Sequence, residues 1–132
     1  MGIIHRDIKP SNILLFKNQN DQFPVAKIAD LGLVRFVAKQ EQTFTQEIQS
    51  LAYRAPEVLL GNKHYNHAID LWSMGVLAYE LIHGLRMFTG SSEIDTLINI
   101  FHYKGKPQYE GFTYRKDYEN LSSEFIVKFP NL

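Results

Sequence analysis

The apolar positions of this chain form short unbroken runs near its start, one long stretch that is apolar on every side, and one stripe at helical spacing. Ile3 and Ile4 read as the end of a short β-strand. Ile13-Leu14-Leu15-Phe16 is β-rich and continuously apolar, the pattern of a strand buried on both faces, and Val25 to Ala29 reads as a second short strand. Residues 17–24 between them are polar with turn formers, which makes the pair a hairpin. Its closure carries Asn12 and Asp30 to one end although they lie 18 positions apart.

Gly32 to Arg54 has no sustained period and is expected to be a loop. Pro56, which lacks the N–H that a first helical turn leaves unused, opens a short helix ending at Gly61. Asn66 to His83 carries apolar residues all round, predicting a central helix with neighbours on every side and Gly84 as its stop. Ser92 is placed to cap a further helix in which Ile94, Leu97, Ile98 and Phe101 form one stripe, so that helix should lie on the surface. Beyond Lys104 the pattern weakens, with a last helix expected around 122–129, and neither repeats nor low-complexity tracts are present.

Composition narrows the classes. A complete domain of 132 residues would bury roughly two-thirds of its unfolded surface. Fourteen acidic and fourteen basic residues cancel, which argues against a nucleic-acid arm or a polybasic membrane anchor. Without cysteine there is neither a disulfide framework nor a thiolate metal site. His64 and His67 have no third ligand beside them and read as surface residues rather than a metal pair. No run of about 18 apolar residues occurs, the first six residues lack signal-peptide order, and Arg6 stands where a myristoylation motif needs Ser or Thr. A soluble intracellular protein is expected, nucleus or cytoplasm being left open.

The chemistry concentrates in His5-Arg6-Asp7-Ile8-Lys9-Pro10-Ser11-Asn12 and Asp30-Leu31-Gly32. Phosphoryl transfer needs a carboxylate to orient and accept a hydroxyl proton, oxygen ligands for magnesium, and a cation on the moving phosphate. Asp7 fits the first role, Asn12 and Asp30 the second, and Lys9 the third. The order H-R-D-x-x-x-x-N, D-x-G, then Ala55-Pro56-Glu57 follows the kinase signature set.

On these strings the chain resembles the C-terminal lobe of eukaryotic protein kinases, from its first residues to about Phe112. Lys9, two positions after Asp7, is similar to the serine/threonine class. Tyr53 to Gly61, Asp70-Leu71-Trp72-Ser73-Met74-Gly75 and Ser92-Glu93-Ile94-Asp95 resemble the cyclin-dependent kinases. The resemblance implies an α+β, mainly α-helical fold: residues 1–132 as a partial kinase domain with a short β-hairpin at the catalytic loop, the N-lobe and the last C-lobe helices being absent.

It also implies roles. Asp7 and Lys9 are catalytic, Ser50 bridges them, and Lys9, Asn12 and Asp30 bind ATP with its Mg2+, the metal resting on Asn12 and Asp30. Arg6 and Arg35 match two of three arginines that clasp a phosphothreonine, here Thr45, with Thr43 as the competing site. Arg54 matches the arginine that shapes the pocket for a proline after the phosphorylated residue, although Ala52 replaces the usual Trp and Gln49 the usual Val. Leu31 replaces the usual Phe, and His5 is expected to pack near it. Glu57 is assigned an ion pair with an arginine of a later helix, and Asp70 the support of Asp7, provided backbone donors of the catalytic loop satisfy it.

None of the eight glycines forms G-x-G, so the chain has neither the kinase glycine loop nor a Walker loop. The expected function is therefore that of a cyclin-dependent-type serine/threonine kinase, proline-directed and acting on protein substrates. The full-length protein leaves room for a cyclin, no nucleic acid or membrane is implied, and these 132 residues alone are expected to be inactive and prone to aggregate. The alternative is a non-catalytic lobe remnant that binds a partner through the helix around Ile94 to Phe101. Retention of Asp7, Lys9, Asn12 and Asp30 together favours the enzyme.

Overall fold

The computed structural model describes residues 2–37 and 48–105. Strand β1 (Gly2–Ile4) leads through a loop and a 3-10 turn at Pro10–Asn12 into β2 (Ile13–Phe16), followed by β3 (Val25–Ile28) and β4 (Arg35–Val37). A second 3-10 turn at Leu51–Tyr53 precedes helices α1 (Pro56–Leu59), α2 (Ala68–His83) and α3 (Glu93–Lys104). The helix expected around 122–129 lies outside the described residues.

β2 and β3 form the expected antiparallel hairpin, in register from Ile13 opposite Ile28 to Phe16 opposite Val25. β1 pairs antiparallel with β4, Ile3 facing Phe36. β4 corrects the expectation of an unbroken loop from Gly32 to Arg54. A three-residue strand is too short to show a period and is decided by its partner across the sheet.

Two other corrections concern burial. β2 is a strand but is not buried on both faces: Leu15 is 69% exposed, and Leu14 and Phe16 are exposed too. Nor does α2 have neighbours on every side. It buries Ile69, Ser73, Val76 and Leu77 and leaves Leu71, Met74, Leu81 and Ile82 exposed, the last at 76%. Continuous apolarity records what a segment is built to be covered by, and among the described residues the cover is present on one face only.

The helix ends follow the sequence. Asn66 Oδ1 accepts from the N–H of Ala68 at the start of α2, and Gly84 ends it in the left-handed region at φ 68°, its N–H donating to Glu80 O. Ser92 Oγ accepts from Asp95 N–H at 3.1 Å and caps α3. The buried stripe of α3 is rotated from the expected one: Leu97 and Ile100 are buried with Thr96, whereas Ile94 is 56% exposed. Gly90 permits this seat, because a Cβ there would collide with the backbone and hydroxyl of Thr96.

Two apolar clusters hold the described part together. One joins Ile4, Ile48, Ala55, Val58, Tyr65 and Ile69, and the other Tyr53, Val76, Phe88 and Ile100. Trp72 packs against both and stacks on Phe88 with ring centroids 5.7 Å apart. The first cluster anchors β1 and hence the loop that carries Asp7.

Candidate active site

The loop from His5 to Asn12 is held from below by α2. Asp70, in the first turn of that helix, accepts the backbone N–H of His5 at 2.7 Å and of Arg6 at 2.9 Å, one on each carboxylate oxygen. Between these bonds and Asp7 the chain turns through a left-handed residue, Arg6 at φ 70°, which a non-glycine residue adopts only when its surroundings impose it. His5 adds a second support. The Asp7 N–H donates to His5 Nδ1 at 3.3 Å, so the ring is the neutral tautomer with its proton on Nε2, which donates to Ala29 O at 3.1 Å. His5 thereby ties the loop to the end of β3, two residues before the exposed Leu31.

This support presents Asp7 among partners. Lys9 Nζ lies 2.7 Å from Asp7 Oδ2, and Asn12 Nδ2 donates to the same oxygen at 3.1 Å and to Asp7 O at 2.8 Å. Lys9 Nζ also donates to Ser50 Oγ at 3.1 Å, so one ammonium joins the Asp7 loop to the segment before α1. Among the described residues Asp7 Oδ1 has no donor, and an acceptor oxygen is left for a substrate hydroxyl.

At the root of the hairpin Ala29 N–H donates to Asn12 O at 2.8 Å, which sets Asp30 one residue beyond the partner of Asn12. Asp30 is exposed in the left-handed region at φ 61°, and its Oδ1 accepts from Gly32 N–H. With Asn12 Nδ2 spent on Asp7, Asn12 Oδ1 and Asp30 Oδ2 remain as hard oxygens with no protein donor among the described residues. That pair fits magnesium, which takes one or two protein oxygens and completes its shell with water and phosphate. No group of three or more His, Cys, Asp or Glu side chains able to hold a metal occurs among the described residues.

Arg6 is 1% exposed and uses its guanidinium inward, Nε donating to Leu33 O at 2.6 Å and Nη1 to Tyr65 OH at 3.0 Å. Arg35 is exposed and its charge also acts on Tyr65. Burial pushes the Tyr65 hydroxyl pKa up, and the Arg6 bond and the two positive charges pull it down. Both positive charges thus act on one tyrosine, which Arg6 hydrogen-bonds, and Thr43 and Thr45 lie outside the described residues.

Arg54 reaches both ways. Nη1 pairs with Glu93 at the start of α3, and Nη2 donates to Gln49 O at 2.9 Å. Ser50 and Lys9 line one wall of a cleft of about 520 Å³ that continues past Tyr53, Glu80 and Arg86. The Tyr53 hydroxyl donates to Glu80, and its pKa is pushed up to about 12, first by burial and then by that carboxylate. Sequence reasoning missed Tyr53, Glu80, Arg86 and Glu93, since each is an ordinary residue until the fold collects them.

Glu57 is half-buried, and desolvation pushes its carboxyl pKa up from the ordinary 4.5. The later helix assigned to supply its arginine lies outside the described residues. With the folded pKa above the unfolded one, the stability this group contributes is complete below the unfolded pKa and is lost as pH rises through the folded pKa. The urea midpoint of the wild-type chain should therefore fall relative to Glu57→Gln as the pH rises above the ordinary carboxyl range. Parallel midpoints over that rise would show the carboxyl to be unshifted.

Such a constellation, a loop carboxylate bridged by lysine to a hydroxyl and followed by an amide and a second carboxylate, defines a class before it defines a protein. A model of the protein kinase domain matches residues 1–128, and the chain belongs to that family. Among its relatives is cyclin-dependent kinase B1-1 of Arabidopsis thaliana, 42% identical over 120 residues, or 89% of this chain and 38% of the relative. Cell division control protein 2 homolog C of Antirrhinum majus is 45% identical over 109 residues, 83% of this chain and 34% of the relative. A solved structure of the yeast RNA Pol II CTD kinase CTDK-1 complex contains a chain that is 37% identical with a TM-score of 0.72. That match covers 83% of this chain and 34% of the solved one. The chain therefore has the protein kinase fold over this part and spans about a third of the length of these relatives.

Proposed function

We propose that these residues are the C-terminal, substrate-side lobe of a serine/threonine kinase of cyclin-dependent type, residues 1–132 forming part of its kinase domain. The observation that carries this reading is the Lys9 ammonium held between Asp7 and Ser50 with Asp7 Oδ1 left open. Asp7 accepts the hydrogen bond of a serine or threonine hydroxyl and later its proton, and positioning of this kind supplies much of the rate in phosphoryl transfer. Lys9 places its charge beside the incoming phosphate. Asn12 and Asp30 would hold magnesium, and ATP with that ion supplies the phosphoryl group when bound.

A proline after the acceptor fits the Arg54 side of the site. The Gln49 carbonyl is turned toward Arg54 Nη2 by a left-handed residue at φ 62° and is spent there. A substrate residue bearing an N–H would find that acceptor occupied, whereas proline has no N–H to satisfy. The name of the Arabidopsis relative supports a cyclin as the partner of the full protein. Nucleotide binding needs a glycine loop that no pair of glycines in this chain supplies, so these 132 residues by themselves are inactive.

The test compares the 132-residue chain with a polypeptide that joins the same residues to a kinase N-terminal lobe, assayed on a Ser-Pro peptide with labelled ATP and a cyclin. Phosphorylation by the joined polypeptide and none by the chain is the expected result. Activity in the chain alone would overturn the claim of inactivity, and none in either would overturn the kinase reading. A role as a binding module remains the lesser reading, since it gives no reason for Asp7, Lys9, Asn12 and Ser50 to be assembled.

A further inference from the structure

We infer that Arg86 is a specificity-determining residue: it reads an acidic side chain of the protein substrate, placed before the phosphorylated residue, in the cleft that starts at Lys9 and Ser50. The inference rests on the kinase reading and names the substrate class of that same site. The cleft, about 520 Å³ in volume, continues from Lys9 and Ser50 past Tyr53 to Glu80, Arg86 and Phe88. Glu80 and Arg86 share it although α2 carries only the first, because Gly84 stops the helix at φ 68° and turns the chain so that Arg86 comes beside it. Phe88 is 2% exposed and stacks on Trp72, which makes that side of the cleft rigid. Ala52 contributes only a methyl group to the lining, which leaves space where a large side chain would fill it.

The charges decide what this space accepts. Lys9 is spent on Asp7 at 2.7 Å and on Ser50 at 3.1 Å, and Glu80 already accepts the hydrogen bond of the Tyr53 hydroxyl. Burial raises the pKa of that hydroxyl, whereas the charge and a hydrogen bond of Arg86 pull it down, which sets the guanidinium beside the same oxygen. Arg86 is exposed and pairs with no carboxylate among the described residues. Tyr53 uses only part of its fork of N–H donors, and the rest suit a carboxylate or a phosphate, which a guanidinium takes with two parallel bonds. A basic substrate side chain would find Glu80 occupied and Arg86 repelling it. Arg54, beside which the proline after the acceptor rests, does not line this cleft, so the part of the substrate that enters it is the part before the acceptor.

The test uses the joined polypeptide described above and Ser-Pro peptides that carry aspartate, phosphoserine, alanine or arginine at each position before the serine in turn. At one position an acidic peptide should exceed the alanine peptide in kcat/KM by about three- to tenfold, through KM, as a charge-assisted pair at a partly exposed site allows. A gain for phosphoserine alone identifies a previously phosphorylated substrate, and a gain for both identifies any acidic one. Added salt should erode the gain. Arg86→Ala should bring the acidic peptide level with alanine, Arg86→Lys should keep part of the preference, and Arg86→Glu should move it to the arginine peptide. A merely structural role would lower all peptides by one factor. That result, or a wild-type enzyme that favours arginine or gains from acid at no position, overturns the inference. Binding of the same peptides, carrying a fluorophore, to the 132-residue chain keeps the two claims apart. If the wild-type polypeptide phosphorylates none of them the kinase reading falls, while tighter binding of the acidic peptide that Arg86→Ala abolishes upholds the subsite and equal binding of acidic and alanine peptides overturns it.

Discussion

Asp7→Asn in the active polypeptide should lower kcat by about 10³-fold, within the range by which a positioned proton acceptor accelerates a reaction. The change is nearly isosteric and touches a residue that is 7% exposed, so the fold should tolerate it. What changes is charge. Lys9 loses the carboxylate 2.7 Å away, the amide no longer takes a hydroxyl proton, and the new NH2 group offers a donor where Asn12 Nδ2 already donates. The Ser50 bond to Lys9 survives, because it does not involve Asp7, and it keeps the segment before α1 in register. KM for the peptide should therefore change less than kcat, which is the sign of a group used at the transition state more than in the bound state. Activity within tenfold of wild type would remove Asp7 from the role assigned to it.

How far this site could be read from the sequence depends on the distance over which each feature is decided. The hairpin, the caps at Ser92 and Gly84, and the short helix at Pro56 are local, each fixed within a few residues, and they stand where the pattern put them. The union of Asn12 with the end of β3 follows from the hairpin in the same way. β4 was not legible because its pairing with β1 joins segments some thirty residues apart and three residues carry no period. The burial of β2 and α2 was overestimated for a different reason. Leu15 and Ile82 are apolar as a covered surface requires, and no pattern within a segment states where its cover comes from. The hydrogen-bond partners of His5 and Gln49 were not legible because their side chains are polar and those partners distant in sequence: Ala29 O for one, Ile69, Ser73 and Ala55 for the other. Asp70 was the exception, since a carboxylate in a helix apolar all round had to find backbone donors somewhere, and the catalytic loop was the segment with donors to give.

That requirement makes Asp70 the residue whose loss should spread furthest. Asp70→Ala removes the acceptor of two N–H groups at once, on His5 and on Arg6, residues only 8% and 1% exposed. A buried donor left without a partner costs about 1–3 kcal/mol, so two of them predict a loss of about 3–5 kcal/mol in a urea titration. Arg6 would no longer be held at φ 70°, and relaxation there rotates the peptide that leads into Asp7. Activity should fall more than a hundredfold although Asp70 touches neither substrate nor nucleotide. Asp70→Asn keeps one acceptor oxygen and turns an NH2 toward the other backbone donor, so it should fall between wild type and alanine in both measurements. If Asp70 acts only by placing Asp7, the two losses in activity cannot add: Asp70→Ala combined with Asp7→Asn should be scarcely slower than Asp7→Asn alone, while the stability loss of Asp70→Ala persists in full. Additive losses in activity would mean that Asp70 serves the reaction by some route other than the loop it holds.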